Sequence, residues 1–304
     1  MIHLVAAAVV LAFGAPHDAA LTHRVSPSDY WSGDYATTAG EHVTVYVSRS
    51  YPEDDAFAQQ WVDYLGSLLH GSELSKLTLY LATPDEVSAE CGGPDIRGCY
   101  GGDQLVAPAE DEADIAAKSV LAHEYGHHVA AHRLSDPWPA VAWGTKRWAS
   151  YINVCKRAKN QQLFPGSEDP TTYKLNPGEG FAESYRLLNE RRLHLPSPPW
   201  RVVDDSLKPS AKALALLQQD VTHPWTGPTT LTRHGTFGKT GKSTRTFKIV
   251  TKLDGTLTAS VQGAAGQVLQ LNTTSTTICG TRKTTLRVTR VSGSGRFTLT
   301  VTRP

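Results

Sequence analysis

The stretch 109–134, AEDEADIAAKSVLAHEYGHHVAAHRL, decides which fold the sequence indicates. It is predicted to form one long helix, because four acidic residues stand near its start, where the positive end of a helix dipole favours them. Within this helix, residues 123–128 hold three histidines and one glutamate. The sequence therefore predicts a helix that carries candidate metal ligands. The four acids near its start are Glu110, Asp111, Glu112 and Asp114.

The spacing of the histidines favours a metal site over a solvated, histidine-rich helix face. His123 and His127 are four residues apart, so on a helix they stack on one face and can share an ion. Glu124 between them can reach a water molecule on that ion and act as a general base. Zn²⁺ suits two neutral nitrogens and a carboxylate with an open fourth position. His128 and His132 lie off that face and are predicted to be surface residues.

A third ligand has to come from elsewhere in the chain. The metzincin pattern needs Gly and His at two positions that hold Ala130 and Arg133 here, so that class is excluded. Further on, residues 176–188, NPGEGFAESYRLL, place Glu179 and Glu183 one helical turn apart on a shared face. Either glutamate could complete the site.

The start of that segment also has a simpler interpretation. Asn176 fits the N-cap of a helix, Pro177 its first position and Glu179 its capping-box position. If capping were the only role of Glu179, then Glu183 would be the metal ligand. The residues alone leave both assignments open.

Residues 123–127, HEYGH, form an HExxH motif. The helix that carries this motif and the segment 172–188 resemble the gluzincins, zinc peptidases in which a glutamate from a later helix completes the metal site. Residues 179–182, EGFA, are similar to the Asn-Glu-Gly-Phe-Ala stretch of the M1 aminopeptidases. Residues 172–187, TYKLNPGEGFAESYRL, are similar to the corresponding segment of anthrax lethal factor-like peptidases. The resemblance implies that Glu179 is the third zinc ligand, that Glu183 supports the ligands, and that Tyr173 can hydrogen-bond the transition-state oxyanion. A tyrosine in a polar loop can also serve packing alone.

The apolar pattern predicts an α+β, zincin-like catalytic domain over residues 26–225. The sequence 103–108, DQLVAP, is expected to be an edge strand along which an extended peptide could pair. Period-two alternation predicts strands at 42–48, 76–82 and 101–108, and helical spacing predicts helices at 56–70 and 138–161.

Residues 226–304 differ from the rest in composition and charge. They hold 12 Lys and Arg residues and a single acid, Asp254, so their formal charge is +11, whereas the remainder carries −10. Alternation around Asp-Gly and Gly-Ser-Gly turns predicts a small all-β sandwich domain, which resembles the bacterial pre-peptidase C-terminal domains. Its basic surface could bind an anionic cell-wall polymer or dock against the acidic catalytic part. Nucleic acid is not an expected partner, since the segment has three phenylalanines and no other aromatic residue.

Two features indicate export from the cell. Residues 1–20 contain an apolar run that is too short to span a bilayer and is typical of a signal peptide, so the mature protein is expected to have no transmembrane segment. The four cysteines allow three pairings. The short separation of Cys91 and Cys99 favours a bridge between them, which leaves Cys155 for Cys279. The alternative is four thiols in a cytosolic protein.

These features together predict a secreted zinc metallopeptidase that acts on a peptide or protein. The expected metal ligands are His123, His127 and Glu179, and the expected catalytic residues are Glu124 and Tyr173. The rival hypothesis is a wall- or polyanion-binding protein whose zinc site is structural or inactive. A structural site usually has four protein ligands, mostly thiolates, and the cysteines lack zinc-finger spacing.

Overall fold

The computed structural model describes residues 27–94, 96–280 and 282–304. The predicted signal peptide, residues 1–20, lies outside the described residues. The described chain consists of an α+β part followed by an all-β part, which confirms the fold class at this coarse level. None of its described helices is both long and apolar enough to cross a membrane.

A five-stranded sheet forms the centre of the α+β part. Its strands are β1 (Tyr30–Ala36), β2 (His42–Ser48), β3 (Thr78–Ala82), β4 (Cys99–Gly101) and β5 (Gln104–Pro108). Their spatial order is β1-β2-β3-β5-β4, with β2, β3 and β5 parallel and the two outer strands antiparallel to their neighbours. β2 and β3 confirm two of the predicted strands, although β3 begins two residues later than predicted, and β1 was not predicted.

The strand predicted over 101–108 is in fact a β-hairpin. β4 and β5 are joined by Gly102 and Asp103, whose φ angles are 56° and 65°, as a two-residue type I′ turn requires. β5 therefore lies between β3 and β4, and β4 is the strand at the edge. The prediction that DQLVAP forms the edge strand is wrong, because the hairpin adds one more strand outside it.

The α+β part also contains eight α-helices in the described part of the chain, of which the first three pack against the sheet. Side chains cap several of them: Asp54 caps the first, Thr83 begins the second with a capping box, and Ser210 caps the last. They are α1 (Asp55–Ser67), α2 (Pro84–Cys91), α3 (Ala117–Ala131), α4 (Ala140–Trp143), α5 (Lys146–Tyr151), α6 (Val154–Lys159), α7 (Pro177–Leu193) and α8 (Ala211–Thr222).

The long helix predicted over 109–134 is shorter at its N-terminal end. α3 begins at Ala117, and the acidic residues before it form a loop. From that loop, the Asp111 carboxylate accepts a hydrogen bond from the backbone N of Ala117 at 2.9 Å. Glu112 instead forms an ion pair with Arg97. Asp111 therefore caps the helix from outside it, whereas Glu112 binds the loop before β4.

The helix predicted over 138–161 is divided into α4, α5 and α6. Gly144 ends α4 with a φ of 78°, and Asn153 precedes α6 with a φ of 58°. A positive φ interrupts the right-handed helical conformation, so the chain turns at each of these residues. The apolar spacing was recognised correctly, but the turns that divide it were not.

α3 lies at the centre of the α+β part, between the β4–β5 side of the sheet and α7. Leu121, Tyr125 and Val129 on α3 are fully buried. Gly126 allows the close approach of α7, because a Cβ atom on it would lie 2.9 Å from the Cα of Ala182. The alternative of a solvated histidine-rich face is wrong, because α3 is buried along most of its length.

The all-β part consists of two antiparallel sheets that share one apolar core. One sheet has the order β10-β8-β12-β6 and the other β7-β11-β9. Phe237, Leu257 and Leu299 from the first sheet meet Ile249 and Leu286 from the second in this core. The strands are β6 (Thr229–Phe237), β7 (Thr244–Val250), β8 (Gly255–Gly263), β9 (Val268–Leu271), β10 (Ser275–Ile278), β11 (Lys283–Ser292) and β12 (Gly295–Arg303).

Both predicted disulfide bonds are present. Cys91–Cys99 joins the end of α2 to β4, and Cys155–Cys279 joins α6 to the residue after β10. Two disulfides fit a non-cytoplasmic, oxidising compartment. The second bridge also links the two parts of the chain covalently.

Hydrogen bonds around Ser150 reinforce that link. The Arg282 guanidinium donates to the Ser150 carbonyl at 2.7 Å, and the backbone N of Asp254 donates to the Ser150 hydroxyl at 2.9 Å. Asp254 also accepts a hydrogen bond from the backbone N of Gly280 at 2.8 Å. The β part therefore docks against the α+β part through the loops at one end of the sandwich.

Candidate metal centre

The packing of α3 against α7 brings two histidines and a glutamate together. His123 and His127 come from α3, and Glu179 comes from the first turn of α7. The Nε2 atom of His123 lies 3.2 Å from Glu179 Oε2, and the Nε2 atom of His127 lies 3.4 Å from Glu179 Oε1. All three side chains are at most 12% exposed.

These distances suit a tetrahedral metal ion. Ligand atoms about 2.0–2.1 Å from a tetrahedral Zn²⁺ lie roughly 3.4 Å from one another. One potential ligand atom from each of His123, His127 and Glu179 lies within 4.8 Å of the others. The donor set of two imidazoles and one carboxylate is that of a zinc site with a position left for water or substrate.

Glu183 contacts His123 at Nδ1, the ring nitrogen opposite the one that faces Glu179. Its Oε2 atom lies 3.1 Å from His123 Nδ1, on the side of the ring away from the candidate metal position. The Arg186 guanidinium holds this carboxylate with two hydrogen bonds of 2.8 and 2.6 Å. A carboxylate at this position fixes the orientation and tautomer of a ligand histidine. Of the two glutamates that the sequence left open, Glu179 contacts both Nε2 atoms and Glu183 contacts neither.

Hydrogen bonds and neighbouring charges within the cluster favour a positive charge on His123. Burial disfavours the charged form of His123, but hydrogen bonds to Glu179 and Glu183 raise its pKa to about 10. Burial would raise the pKa of Glu179, but the two neighbouring histidines hold it well below its usual range. A cation is therefore favoured between these residues, and a metal ion would replace the proton.

Glu124 lies beside this centre, at the wall of a cavity of about 730 Å³. His127, Tyr173 and Glu179 line the same cavity. Burial raises the pKa of the Glu124 carboxyl above its ordinary value. Gly98 makes room for this side chain, because a Cβ atom there would lie 2.9 Å from Glu124 Cγ.

Tyr173 also belongs to the site. It lies in a short 3-10 helix just before α7, and its hydroxyl donates a hydrogen bond to Glu179 Oε2 at 2.8 Å. Burial and the neighbouring carboxylates raise the pKa of this hydroxyl, so it stays protonated at neutral pH. The structure thus brings together all five residues singled out from the sequence: His123, Glu124, His127, Tyr173 and Glu179.

Sequence reasoning missed two residues near the site. Arg186 was noted only as part of a motif and was given no role, although its position three residues after Glu183 on a helix signals a pair. His128 was predicted to lie at the surface, and this prediction is wrong because its side chain is fully buried. Its burial results from packing against other elements, which helical spacing alone does not show.

Comparison with protein-family models gave no match, and comparison with curated proteins gave none either. The interpretation of this centre therefore depends on its residues and their geometry.

Proposed function

We propose that the protein is a secreted, zinc-dependent peptidase whose metal ligands are His123, His127 and Glu179. The observation that supports this most strongly is the contact of both histidine Nε2 atoms with the two oxygens of one buried carboxylate. Bound Zn²⁺ would polarise a substrate carbonyl and lower the pKa of a coordinated water.

The chain's own residues would then carry the proton transfers. Glu124 lines the cavity beside the ligands, and its raised pKa brings it closer to neutral pH, which suits a group that takes up and releases protons. It would accept a proton from the attacking water and deliver it to the leaving amine. Tyr173 would turn its hydroxyl from Glu179 toward the oxygen on which negative charge develops.

The volume of the cavity, about 730 Å³, and its lining residues support a peptide as substrate. Tyr100 and Gly101 of the edge strand β4 line this cavity together with Tyr173 and Glu179. An extended peptide can pair with a strand at the edge of a sheet, and β4 holds that position in the five-stranded sheet. We therefore assign the role of substrate-pairing edge to β4 rather than to DQLVAP.

Metal removal and restoration test the proposal. Purified full-length protein should cleave members of a peptide library, lose this activity after chelation and dialysis, and regain it with stoichiometric Zn²⁺. The rival hypothesis of a structural zinc predicts a different result. Chelation would then lower the melting temperature, and the zinc-loaded protein would cleave no peptide.

A further inference from the structure

A second group of metal-ligating side chains lies beside the same cavity. Asp103 in the β4–β5 turn approaches His128 and His132 at the C-terminal end of α3. One potential ligand atom from each of the three lies within 4.8 Å of the others. His128 and His132 are four residues apart, so they share a helix face as the first histidine pair does. This face is rotated by roughly 140° from that of the first pair, because the two pairs are offset by five residues.

The Asp103 carboxylate is the centre of the group. Its Oδ1 atom lies 2.7 Å from His132 Nε2 and 3.5 Å from His128 Nδ1. Gly102 and Asp103 form the tight turn of the hairpin, so the carboxylate is held close to the end of α3. Its side chain is 43% exposed, so it has room to rotate until Oδ1 and His132 Nε2 reach the roughly 3.4 Å that separates ligand atoms on a shared ion.

The buried His128 has the orientation of a metal-binding histidine. Its Nε2 atom lies 2.8 Å from the carbonyl oxygen of Glu73. A carbonyl can only accept, so Nε2 carries the proton and Nδ1 directs its lone pair toward Asp103. Metal-binding histidines characteristically donate their other N–H to a carbonyl or carboxylate in this way.

Tyr100 and Lys76 contact the ligand atoms and rings of this group. The Tyr100 hydroxyl lies 3.2 Å from His128 Nδ1 and donates to Asp103 Oδ1 at 3.2 Å. Lys76 Nζ lies 3.4 Å from His132 Nδ1. An ion would replace the contact of the Tyr100 hydroxyl with His128 Nδ1 and bind His132 through Nε2. The flexible Lys76 side chain would then move into solvent.

We propose that Asp103, His128 and His132 form a second site for a divalent transition metal. Two imidazoles and one carboxylate favour Zn²⁺ or a neighbouring transition metal over Ca²⁺ and Mg²⁺, which prefer oxygen ligands. The ion would tie the β4–β5 turn to α3 and so fix one wall of the cavity. The site binds more weakly than the centre at His123 for two reasons. The Asp103 carboxylate is partly exposed, and Asp103 Oδ1 must move away from His132 Nε2, which lies only 2.7 Å from it.

Zinc stoichiometry in the full chain tests this proposal. Metal-free protein is dialysed against increasing free Zn²⁺, and the bound metal is measured by atomic absorption. We expect about two ions per chain at saturation, and about one after His132→Ala or Asp103→Asn. His42→Ala is the matched control, because His42 also pairs with an aspartate, Asp34 at 2.9 Å, but belongs to neither three-residue group.

The outcomes separate this site from the first one. Loss of one ion in His132→Ala and Asp103→Asn, with no loss in His42→Ala, supports the second site. If the first centre binds no metal, the parent would hold about one ion that Glu179→Ala leaves in place and His132→Ala removes. A parent that binds one ion which survives both His132→Ala and Asp103→Asn would overturn the proposal, as would equal loss in the His42 control.

Discussion

At the scale of single residues, the two nitrogens of His123 give the two glutamates different tasks. Glu179 faces Nε2 and the metal position, whereas Glu183 faces Nδ1 and is held by Arg186. The first contact can contribute a ligand bond. The second can only orient the ring and keep Nε2 free to bind.

Zinc titrations of the two alanine variants should therefore differ. Glu179→Ala removes a ligand and should abolish stoichiometric zinc binding, whereas Glu183→Ala should weaken the affinity by ~10- to 100-fold. Glu190→Ala is the matched control, because Glu190 also binds Arg186, at 2.5 Å, one turn further along α7 without contacting His123. Its zinc affinity should stay close to that of the parent. The reverse ranking of Glu179 and Glu183 would transfer the ligand role to Glu183.

Sequence spacing pointed to the residues that the structure brings together at the first candidate centre, but not to those of the second group. The four-residue interval between His123 and His127 is a local property of a helix, so it can be recognised without a fold. The choice between Glu179 and Glu183 required the position of α7 relative to α3. His128 is buried where it contacts the Glu73 carbonyl, and Glu73 lies 55 residues away in the chain. No local pattern contains that information.

At the scale of elements, the centre depends on how closely α3 and α7 approach. Gly126 lies between the two ligand histidines in the chain, and its Cα faces the backbone of Ala182. The glycine therefore sets the distance between the helix with the histidines and the helix with Glu179. A larger residue would push the two groups of ligands apart.

We expect Gly126→Ala to weaken both folding and zinc binding. The added methyl group meets the α7 backbone, so the free energy of unfolding should fall by about 1–3 kcal/mol and the zinc affinity should fall with it. Gly93→Ala is the matched control, because a Cβ atom there has no neighbour within 4 Å. Chemical denaturation and zinc titration of both variants give the comparison. Unchanged zinc affinity in a destabilised Gly126→Ala protein would show that the helix spacing does not control the site.

Element types were predicted more reliably than element boundaries. The apolar pattern identified β2, in which alternate residues face a core, and most of β3, in which four of the five residues are buried. The hairpin of β4 and β5 was taken as one strand, since the turn consists of only Gly102 and Asp103. α3 was predicted too long because its acidic capping residues resemble a first helical turn. In each case a turn or loop of a few residues interrupts a sequence pattern that is continuous across it.

At the scale of the whole molecule, docking of the β part leaves most of its basic residues exposed. Arg282 is an exception, because it contacts Ser150 and Asp254 at the interface. Lys248, Lys283 and Arg287 are exposed on the outer face of the β7–β11 pair. Docking and binding of a polyanion are therefore compatible, because they use different surfaces.

This exposed face should bind anionic cell-wall polymers through charge. The full-length protein is expected to sediment with cell-wall preparations at ~0.05 M salt and to be released progressively toward ~0.5 M salt, as screening increases. Reversing Lys248, Lys283 and Arg287 to Glu should abolish sedimentation. Reversing Arg201, Lys208 and Lys212, which are exposed on the α+β part, makes the same change in net charge and is the control. Salt-independent sedimentation, or equal loss in both triple variants, would contradict binding by this face.

The most direct test of the peptidase proposal is to measure zinc content and peptide hydrolysis on the same preparations of the parent and Glu124→Gln. Glu124 lies at the cavity wall but is not one of the three candidate ligands. The account predicts that Glu124→Gln binds as much zinc as the parent and loses hydrolysis, because the ligands remain while the proton acceptor is gone. Hydrolysis by Glu124→Gln at a rate close to that of the parent would contradict it.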